Sequence, residues 1–266
     1  MIDMIIIGGG PAGLSAAITA RQRNNGATII TNDMSASALY KAHIVGNYPG
    51  LPDISGKELL NRLTTHATDA GAELIIGKVS SAMHAGDSFH IGYGADILTS
   101  RSVILATGIT QTSFFPGEEA LLGRGVSYCA TCDGMLYRGE RVCVVCLAAE
   151  AAEEAEYLAS IGCEVIRLET RNIKINGEEQ VTSVTADNED IQCAGVFILR
   201  QAVAPHLLFQ GLETESGHVR AGLSAETNIP GLFAAGDCVG KPYQIAKAAG
   251  QGQVAALSAS AFINEN

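Results

Sequence analysis

Two thiols lie three residues apart in the segment Cys129-Ala130-Thr131-Cys132, and a carboxylate follows at Asp133. Cysteines with this spacing, at a turn or at the start of a helix, come within disulfide reach, and such surroundings lower the pKa of a thiol. The Asp133 carboxylate can hold or deliver the proton that accompanies thiol–disulfide exchange. We therefore predict that Cys129, Cys132 and Asp133 are the catalytic residues of a dithiol–disulfide reaction.

A second pair with the same spacing occurs at Cys143 and Cys146. The four cysteines together superficially resemble a zinc or iron site. The segment around the second pair is apolar, as in a buried strand, and residues three apart in a strand point to opposite faces. We therefore predict no metal site. The remaining cysteines are expected to be small buried apolar residues, and they are Cys163, Cys193 and Cys238.

A glycine-rich turn near the start of the chain has the pattern of a dinucleotide site. The apolar run Met4-Ile5-Ile6-Ile7 is typical of a strand, and a helix-like segment follows the sequence Gly8-Gly9-Gly10-Pro11-Ala12-Gly13. Gly8 permits the tight turn, Gly10 lets the backbone approach a pyrophosphate, and Gly13 allows the helix to pack closely. The helix N-terminus then directs its N–H groups towards the phosphates. A second strand is predicted at Ala27–Thr31, and Asp33 is the acidic residue that follows it, although its offset from the glycines is imperfect.

Two further apolar runs end in small polar motifs. The strand-like run from Val103 ends at Ala106-Thr107-Gly108, and the run from Leu232 ends at Gly236-Asp237. An aspartate in this position can hydrogen-bond a ribityl or ribose hydroxyl, and a helix that follows can direct its positive end at a flavin ring.

The three motifs together resemble the FAD-binding half of flavoproteins with two dinucleotide-binding domains. The segment from Gly123 to Gly134 closely matches the low-molecular-weight thioredoxin reductases, and with Asn47-Tyr48-Pro49-Gly50 the resemblance extends over nearly the whole chain. The resemblance implies an α/β fold of two Rossmann-like three-layer lobes, FAD as cofactor, a homodimer, and thioredoxin or a similar protein disulfide as partner. It further implies that Cys132 meets the flavin, that Cys129 attacks the partner disulfide, and that Asp133 is the acid/base.

The same resemblance implies which residues bind the cofactor. Most of them follow the predicted strands, and two stand at the start of the last helix. The set is Gly8, Gly10, Pro11, Ala12, Gly13, Thr31, Asn32, Asp33, Asn47, Val79, Ala106, Thr107, Gly108, Gly236, Asp237, Gln244 and Ile245.

The central segment departs from the nicotinamide-binding pattern of these reductases. In the family, a second glycine-rich turn holds NADPH, whereas here Cys146 replaces the turn glycine, Ala148 adds a Cβ, and Glu150 places a negative charge where phosphate would bind. The arginines that grip the 2′-phosphate are reduced to Glu169-Thr170-Arg171, and the segment from Asn172 to Thr185 is too short for the helix and strands of the family. We predict a degenerate, shortened lobe that does not bind NADPH. The chain is then most similar to the ferredoxin-linked flavin thioredoxin reductases, in which ferredoxin is the electron donor.

Two other functions stay open. A flavin dithiol oxidase would run the same cysteine pair in reverse and deliver electrons to oxygen. A degenerate flavoprotein would bind or sense without catalysis, although the intact cysteines and the FAD motifs argue against it.

Charge and composition set the domain prediction and exclude other classes. The net charge of −11 over 266 residues argues against a nucleic-acid binder, and no apolar run reaches the ~18 residues of a membrane helix. We expect a cytoplasmic protein. The segment 112–218 carries 17 acidic and 7 basic residues, so we predict an FAD-binding domain from 1–111 and 219–266 around this acidic central lobe. The near-neutral FAD-binding domain is the expected ferredoxin-docking surface, with the basic residues Arg21, Arg23, Lys41, Lys241 and Lys247.

Overall fold

The chain divides into two compact units in a computed structural model. The structure describes residues 1–109, 114–147, 151–200 and 203–265. Unit 1 comprises Met1–Gln111 and Ala204–Asn266, and unit 2 comprises Thr112–Val203. Among the described residues, every helix is too short or too polar to cross a membrane.

Strands and helices follow one another along both units. The strands are β1 Ile2–Ile7, β2 Ala27–Thr31, β3 Glu73–Ile76, β4 Val79–Ala85, β5 Ser88–Tyr93, β6 Asp96–Leu105, β7 Val126–Ser127, β8 Arg141–Cys146, β9 Glu164–Leu168, β10 Ile173–Asn176, β11 Ser183–Ala186, β12 Glu189–Gln192, β13 Gly195–Leu199, β14 Thr214–Glu215, β15 His218–Val219 and β16 Leu232–Ala234. The α-helices are α1 Pro11–Gln22, α2 Gly56–Asp69, α3 Ala130–Asp133, α4 Ala151–Ser160, α5 Pro205–Leu208 and α6 Ile245–Glu265. Short 3₁₀ helices span Met34–Ala36, Gly134–Tyr137 and Gly236–Val239. The strands expected at the glycine turn, at residues 27–31 and around Cys143 are confirmed.

Unit 1 is built on a mixed sheet with the order β3-β2-β1-β6-β5-β4. The short strand β16 also pairs with β6, along its last residues 103–105. Strands β1, β2, β3, β6 and β16 run parallel, whereas β4, β5 and β6 pair antiparallel. β1 is apolar throughout its second half, because parallel strands in such sheets are covered on both faces. Helices α1 and α6 pack so closely that only glycine fits at position 252. A Cβ on Gly252 would lie 2.0 Å from the Ala12 carbonyl oxygen.

Unit 2 contains a parallel sheet with the order β7-β13-β8-β9. The chain passes from β8 through α4 to β9 on one side, and later returns to β13 on the other side of β8. The strand order therefore reverses between β8 and β13, which is where open α/β sheets bind ligands at the carboxyl ends of their strands.

Unit 2 contains a second, smaller sheet between β9 and β13. Strands β10, β11 and β12 form an antiparallel meander. The segment Asn172–Thr185, expected to be too short for the helix and strands of the family, holds β10 and most of β11. A tight connection suffices, because Thr182 N–H donates to the Asn176 carbonyl at 2.9 Å.

The end of unit 2 falls at Val203 and not at residue 218 as expected from charge. Residues 204–218 pack within unit 1: the Phe209 ring meets the Phe89 ring edge-on at 6.1 Å. The Asn228 side chain also bonds both Gly211 and Glu213. The acidic residues beyond Val203 continue the charge pattern of unit 2, although the chain there packs within unit 1.

Candidate active site

The cysteine pair of unit 2 forms a disulfide at the entry to a helix. Cys129 and Cys132 are disulfide-bonded, with Cα atoms 5.4 Å apart. Cys129 is the N-cap of α3, and its sulfur accepts a hydrogen bond from the Cys132 N–H at 3.2 Å. Cys129 is buried whereas Cys132 is exposed. The sequence prediction of a turn or helix start is confirmed, and the helix N–H group is placed to stabilise a Cys129 thiolate after reduction.

Asp133 is held against the same loop by a buried hydroxyl. Ser127, at the end of β7, donates to the Asp133 carboxylate at 2.6 Å and accepts from the Cys129 N–H at 3.1 Å. The structure thus brings the three predicted catalytic residues together. Sequence reasoning missed Ser127, although its place in the matched segment before Cys129 was a usable signal.

A second carboxylate reaches the helix that carries the disulfide. Glu154, on α4, accepts a hydrogen bond from the Ala130 N–H at 3.0 Å. Burial and the nearby Asp133 charge raise the pKa of Tyr137, which follows on the 3₁₀ turn. Glu154 was also missed, because its separation in sequence from Cys129 hides their proximity.

A buried ion pair anchors the chain immediately before Cys129. Glu118 is fully buried, and Arg200 pairs with both of its carboxylate oxygens. The Tyr128 hydroxyl donates to Glu118 at 2.8 Å, and burial together with this carboxylate raises the pKa of Tyr128. The Arg200 guanidinium also stacks over the rings of Phe114, Phe115 and Tyr128.

This ion pair stands at the switch point of the unit 2 sheet. Leu147 N–H donates to the Leu199 carbonyl at 3.0 Å, so Arg200 directly follows the last rung between β8 and β13. The Arg200 guanidinium at this edge is paired with the Glu118 carboxylate. The substituted turn itself, at Ala148, Ala149 and Glu150, lies outside the described residues.

The second cysteine pair lies on a strand, as expected. On β8, Cys143 is buried and Cys146 is exposed, so the two point to opposite faces. Within the described ranges, no group of three or more His, Cys, Asp or Glu side chains is arranged to hold a metal ion. The other cysteines predicted to be buried are so, and burial raises the pKa of Cys238 to about 11.

In unit 1, the candidate cofactor residues share one edge of a sheet. Ile7 and Ala234 both stand opposite Leu105 in register, and Ile7 stands opposite Ile30 on its other side. Because these strands are parallel, the segments after them emerge at the same edge. The glycine turn, Thr31–Asp33, Ala106–Gly108 and Gly236–Asp237 are therefore brought together.

The glycine turn has the shape that a pyrophosphate requires. A Cβ on Gly8 would lie 2.3 Å from the Ala106 oxygen, and a Cβ on Gly13 would lie 1.9 Å from the Gly8 oxygen. By contrast, a Cβ on Gly10 would meet open space among the described residues. Gly10 also caps α1, with Pro11 in the first turn, so this space adjoins a helix N-terminus.

Polar groups at this edge lack partners that FAD would supply. Within the described part of the chain, the Asp237 Oδ1 atom is buried without a hydrogen-bond partner, and the buried Thr107 hydroxyl lies beside the weakly bonding Cys238 thiol. Burial raises the pKa of Asp237, with Lys247 opposing the shift. A buried acceptor without a donor is costly, and a ribityl or ribose hydroxyl would satisfy it. The residues present therefore fit the group.

Asp33 is engaged locally in the structure. Its exposed carboxylate accepts from the Ser35 N–H at 2.9 Å and from the Ser35 hydroxyl at 2.5 Å, and these bonds lower the pKa of Asp33. Thr31 before it is buried.

The remaining cofactor candidates surround the start of α6 and of β4. The Asn47 side chain donates to the Gln244 side chain at 2.9 Å, which joins two of the predicted cofactor residues. Gln244 directly precedes Ile245, the first residue of α6. Lys247 donates to the carbonyls of Gly236 and Gly240, so the first turn of α6 lies beside the Gly-Asp motif.

Val79 is buried at the start of β4, two residues after Gly77, whose N–H binds the Thr31 carbonyl. Gln251 accepts from the Gly236 N–H at 3.1 Å. The sequence analysis did not identify Gln251, and it gave Lys247 only as a docking residue, although their spacing of four places both on one helix face.

The fold and the two sites define a class. The profile of the pyridine nucleotide-disulphide oxidoreductase family matches residues 2–173 and 166–252, and the chain belongs to this family. The members that it resembles are FAD-dependent flavoproteins, and FAD is the cofactor.

Particular relatives narrow the class. The thioredoxin reductase of Bacillus subtilis (strain 168) is 30% identical over 300 positions, covering 99% of this chain and 95% of the relative. A ferredoxin-flavin thioredoxin reductase from Clostridium acetobutylicum has a TM-score of 0.87 at 38% identity, covering 99% of this chain and 98% of that chain. A thioredoxin reductase from Gloeobacter violaceus has a TM-score of 0.80 at 30% identity, covering 99% and 95%. The protein is thus a thioredoxin reductase-like flavin disulfide oxidoreductase with its Cys-x-x-Cys at Cys129 and Cys132.

Proposed function

We propose that this protein passes electrons from ferredoxin through FAD and the Cys129–Cys132 disulfide to thioredoxin or a similar protein disulfide, without NADPH. The observation that carries the proposal is the combination of two sites. Unit 1 has a sheet edge whose space and unpartnered polar groups fit a cofactor, and unit 2 has a disulfide held beside Asp133. Where the nicotinamide-using reductases have a second glycine turn, the sequence has Cys146, Ala148 and Glu150 instead.

The cofactor is assigned to the shared edge of unit 1. FAD supplies a carrier that accepts electrons one at a time and passes them on as a pair. In this proposal the Gly8–Gly13 turn and the α1 N-terminus hold the pyrophosphate, and Asp237 accepts from a sugar-chain hydroxyl. Asn47, Gln244, Ile245, Val79 and Thr107 complete the cofactor contacts.

Two features argue against NADPH as the donor. The sequence at the second turn replaces glycines by Cys146 and Ala148 and adds Glu150. Directly after the neighbouring strand β13 stands Arg200, whose guanidinium is paired with the buried Glu118 carboxylate. The similarity to the Clostridium acetobutylicum ferredoxin-flavin thioredoxin reductase supports ferredoxin as the alternative donor.

The disulfide residues divide the work between flavin and partner. Two electrons and two protons convert the disulfide to two thiols, and Asp133 exchanges a proton with a cysteine sulfur. Cys132 is the exposed member and is assigned to the flavin side. Cys129 is assigned to attack the partner disulfide, with the Cys132 N–H stabilising its thiolate.

Docking of ferredoxin is assigned to unit 1, but to fewer residues than the sequence suggests. Arg21 donates to the carbonyls of Ala70 and Asn25, and Lys247 is bonded near Gly236. The exposed cations Arg23, Lys41 and Lys241 are then the docking candidates. We further propose a homodimer located in the cytoplasm.

A reconstituted electron-transfer assay tests the function. Purified holoenzyme is supplied with photochemically reduced ferredoxin, and free thiols on thioredoxin are counted under anaerobic conditions. We expect thioredoxin reduction that depends on ferredoxin and that stops in Cys129→Ser. Turnover with NADPH alone, or oxygen-consuming oxidation of a small dithiol at a comparable rate, would overturn the proposal.

A further inference from the structure

The Ser127 hydroxyl occupies the centre of the disulfide loop. Ser127 is 4% exposed, and its oxygen lies 2.6 Å from Asp133 Oδ2, 3.2 Å from the Cys129 carbonyl oxygen and 3.1 Å from the Cys129 nitrogen. It therefore links the proposed acid/base to the backbone of the proposed attacking cysteine.

A hydroxyl has one proton to donate and two lone pairs that accept. One lone pair receives the Cys129 N–H. When Asp133 is ionised, its Oδ2 can only accept, so the Ser127 proton must point to it, and 2.6 Å is typical of such a charge-assisted bond. When Asp133 is protonated, its O–H can donate to the second lone pair, and the Ser127 proton turns to the Cys129 carbonyl.

Both protonation states of Asp133 are thus satisfied with the carboxyl group in one position. Proton uptake and release there need only a rotation of the Ser127 O–H bond. Other groups face this loop as well: Tyr137 interacts with Asp133 from the 3₁₀ turn, and Glu154 accepts from the Ala130 N–H from α4. Cys132 lies on α3, and Cys129 is its N-cap.

We propose that Ser127 is a positioning residue that holds the Asp133 carboxyl group in one place beside the disulfide, both when the carboxyl group is ionised and when it is protonated. The inference rests on the proposed function for its role in turnover, because Asp133 is the acid/base there. Ser127 itself exchanges no proton with substrate.

The chain offers a closely matched control serine. Ser183, in the second sheet of unit 2, is also 4% exposed, and its hydroxyl donates to Asp190 at 2.7 Å. Substitution of either serine by alanine removes a buried hydroxyl bonded to an aspartate, but only Ser127 touches the disulfide loop. Ser127→Thr retains the hydroxyl and serves as the conservative variant.

The test measures the pH dependence of two reactions of the reduced enzyme. One is the rapid-mixing reaction with oxidised thioredoxin, and the other is alkylation of the dithiol by iodoacetamide, which needs neither donor nor partner. Alkylation reports the thiolate, so the midpoint of its pH profile is that of the dithiol. In Ser127→Ala the neighbouring Asp133 carboxylate loses the donor that offsets its charge, so this thiol midpoint should rise by about one pH unit. The maximal rate should fall about tenfold or more with an unchanged KM for thioredoxin.

The outcomes separate the inference from the function. The inference stands if Ser127→Ala shifts the midpoint in the alkylation profile, Ser127→Thr restores it, and Ser183→Ala matches the wild type. Unshifted profiles in Ser127→Ala, or a Ser127→Thr variant as impaired as Ser127→Ala, would overturn it. If the wild type fails to reduce thioredoxin, the proposed function falls, and the alkylation profile alone decides the role of Ser127. Retained flavin absorbance and circular dichroism show that each variant is folded.

Discussion

The parallel strands of the two units end in different ways at their carboxyl edges. In unit 1, the edge carries a glycine turn with open space over Gly10 and a buried Asp237 oxygen that lacks a partner in the described structure. In unit 2, the side chain at the corresponding switch point is Arg200, which is paired with the buried Glu118 and stacked on aromatic rings.

In the proposed function, sheet topology sets where a ligand can bind, and the residues at the strand ends decide whether it does. Unit 1 leaves polar groups unsatisfied and space unfilled, as a binding site must. In unit 2, the described side chain at this edge, Arg200, is satisfied by Glu118, and the pair braces the segment before Cys129. One unit is thus organised for a cofactor and the other for a disulfide.

The largest effect should follow from removing a redox cysteine. Cys132→Ser or Cys129→Ser should lower disulfide-reducing turnover on the order of 10³-fold or more, because no internal disulfide can form. Turnover is measured with thioredoxin, and flavin absorbance reports retained FAD. Cys146→Ser is the matched control on β8 and should leave turnover unchanged; an equal loss in this variant would contradict the division between the two cysteine pairs.

Breaking the ion pair of unit 2 should have the next largest effect. Arg200→Ala leaves the fully buried Glu118 without its counter-ion, which should lower the stability of unit 2 by about 3–5 kcal/mol. Hydrogen exchange of the β7 and β13 amides measures this loss. The double variant Glu118→Leu/Arg200→Met removes both charges and should recover much of the protection. Wild-type exchange in Arg200→Ala would show that the pair does not brace the sheet.

A third change tests the unpartnered carboxylate of unit 1. Asp237→Asn should weaken FAD binding by about 1.5–3 kcal/mol, because an ionised acceptor is lost. In the apoprotein the effect has the opposite sign. Burial raises the pKa of Asp237 above the ordinary value of 3.8, so wild-type stability is lost as the pH rises through the folded-state pKa, and the variant should escape this loss.

Fluorescence titration of FAD and apoprotein unfolding at pH 4 and pH 7 measure the two effects of Asp237→Asn. Asp87→Asn, on an exposed hairpin turn, is the control and should change neither. Unchanged FAD affinity in Asp237→Asn would remove this residue from the cofactor site.

The smallest effects should distinguish two glycines of one turn. Gly10→Ala should leave apoprotein stability unchanged but weaken FAD binding by about 1–3 kcal/mol, since the new methyl group enters open space that the pyrophosphate needs. Gly13→Ala should instead destabilise the apoprotein itself, because its Cβ would overlap the Gly8 oxygen. Apoprotein unfolding and FAD titration separate the two, and equal destabilisation by both substitutions would contradict the open space over Gly10.

Local patterns allowed prediction of much of the fold and part of the site. The glycine turn, the strand at residues 27–31 and the strand character around Cys143 could be read from short-range patterns, because period and turn chemistry are local. Ser127 and Glu154 could not be identified in this way, since their roles depend on a strand end and a helix that fold against the disulfide. Charge misplaced the end of unit 2, because acidic residues continue along the chain beyond Val203.

The most direct test of the proposed electron donor is the anaerobic reduction of the bound flavin, followed by rapid mixing at the visible flavin band. Holoenzyme is mixed separately with NADPH, NADH and reduced ferredoxin. We predict that reduced ferredoxin bleaches the band and that both nicotinamides leave it unchanged on the timescale of turnover. Rapid bleaching by NADPH would show that the protein still binds and uses a nicotinamide, and would contradict ferredoxin as the donor that replaces it.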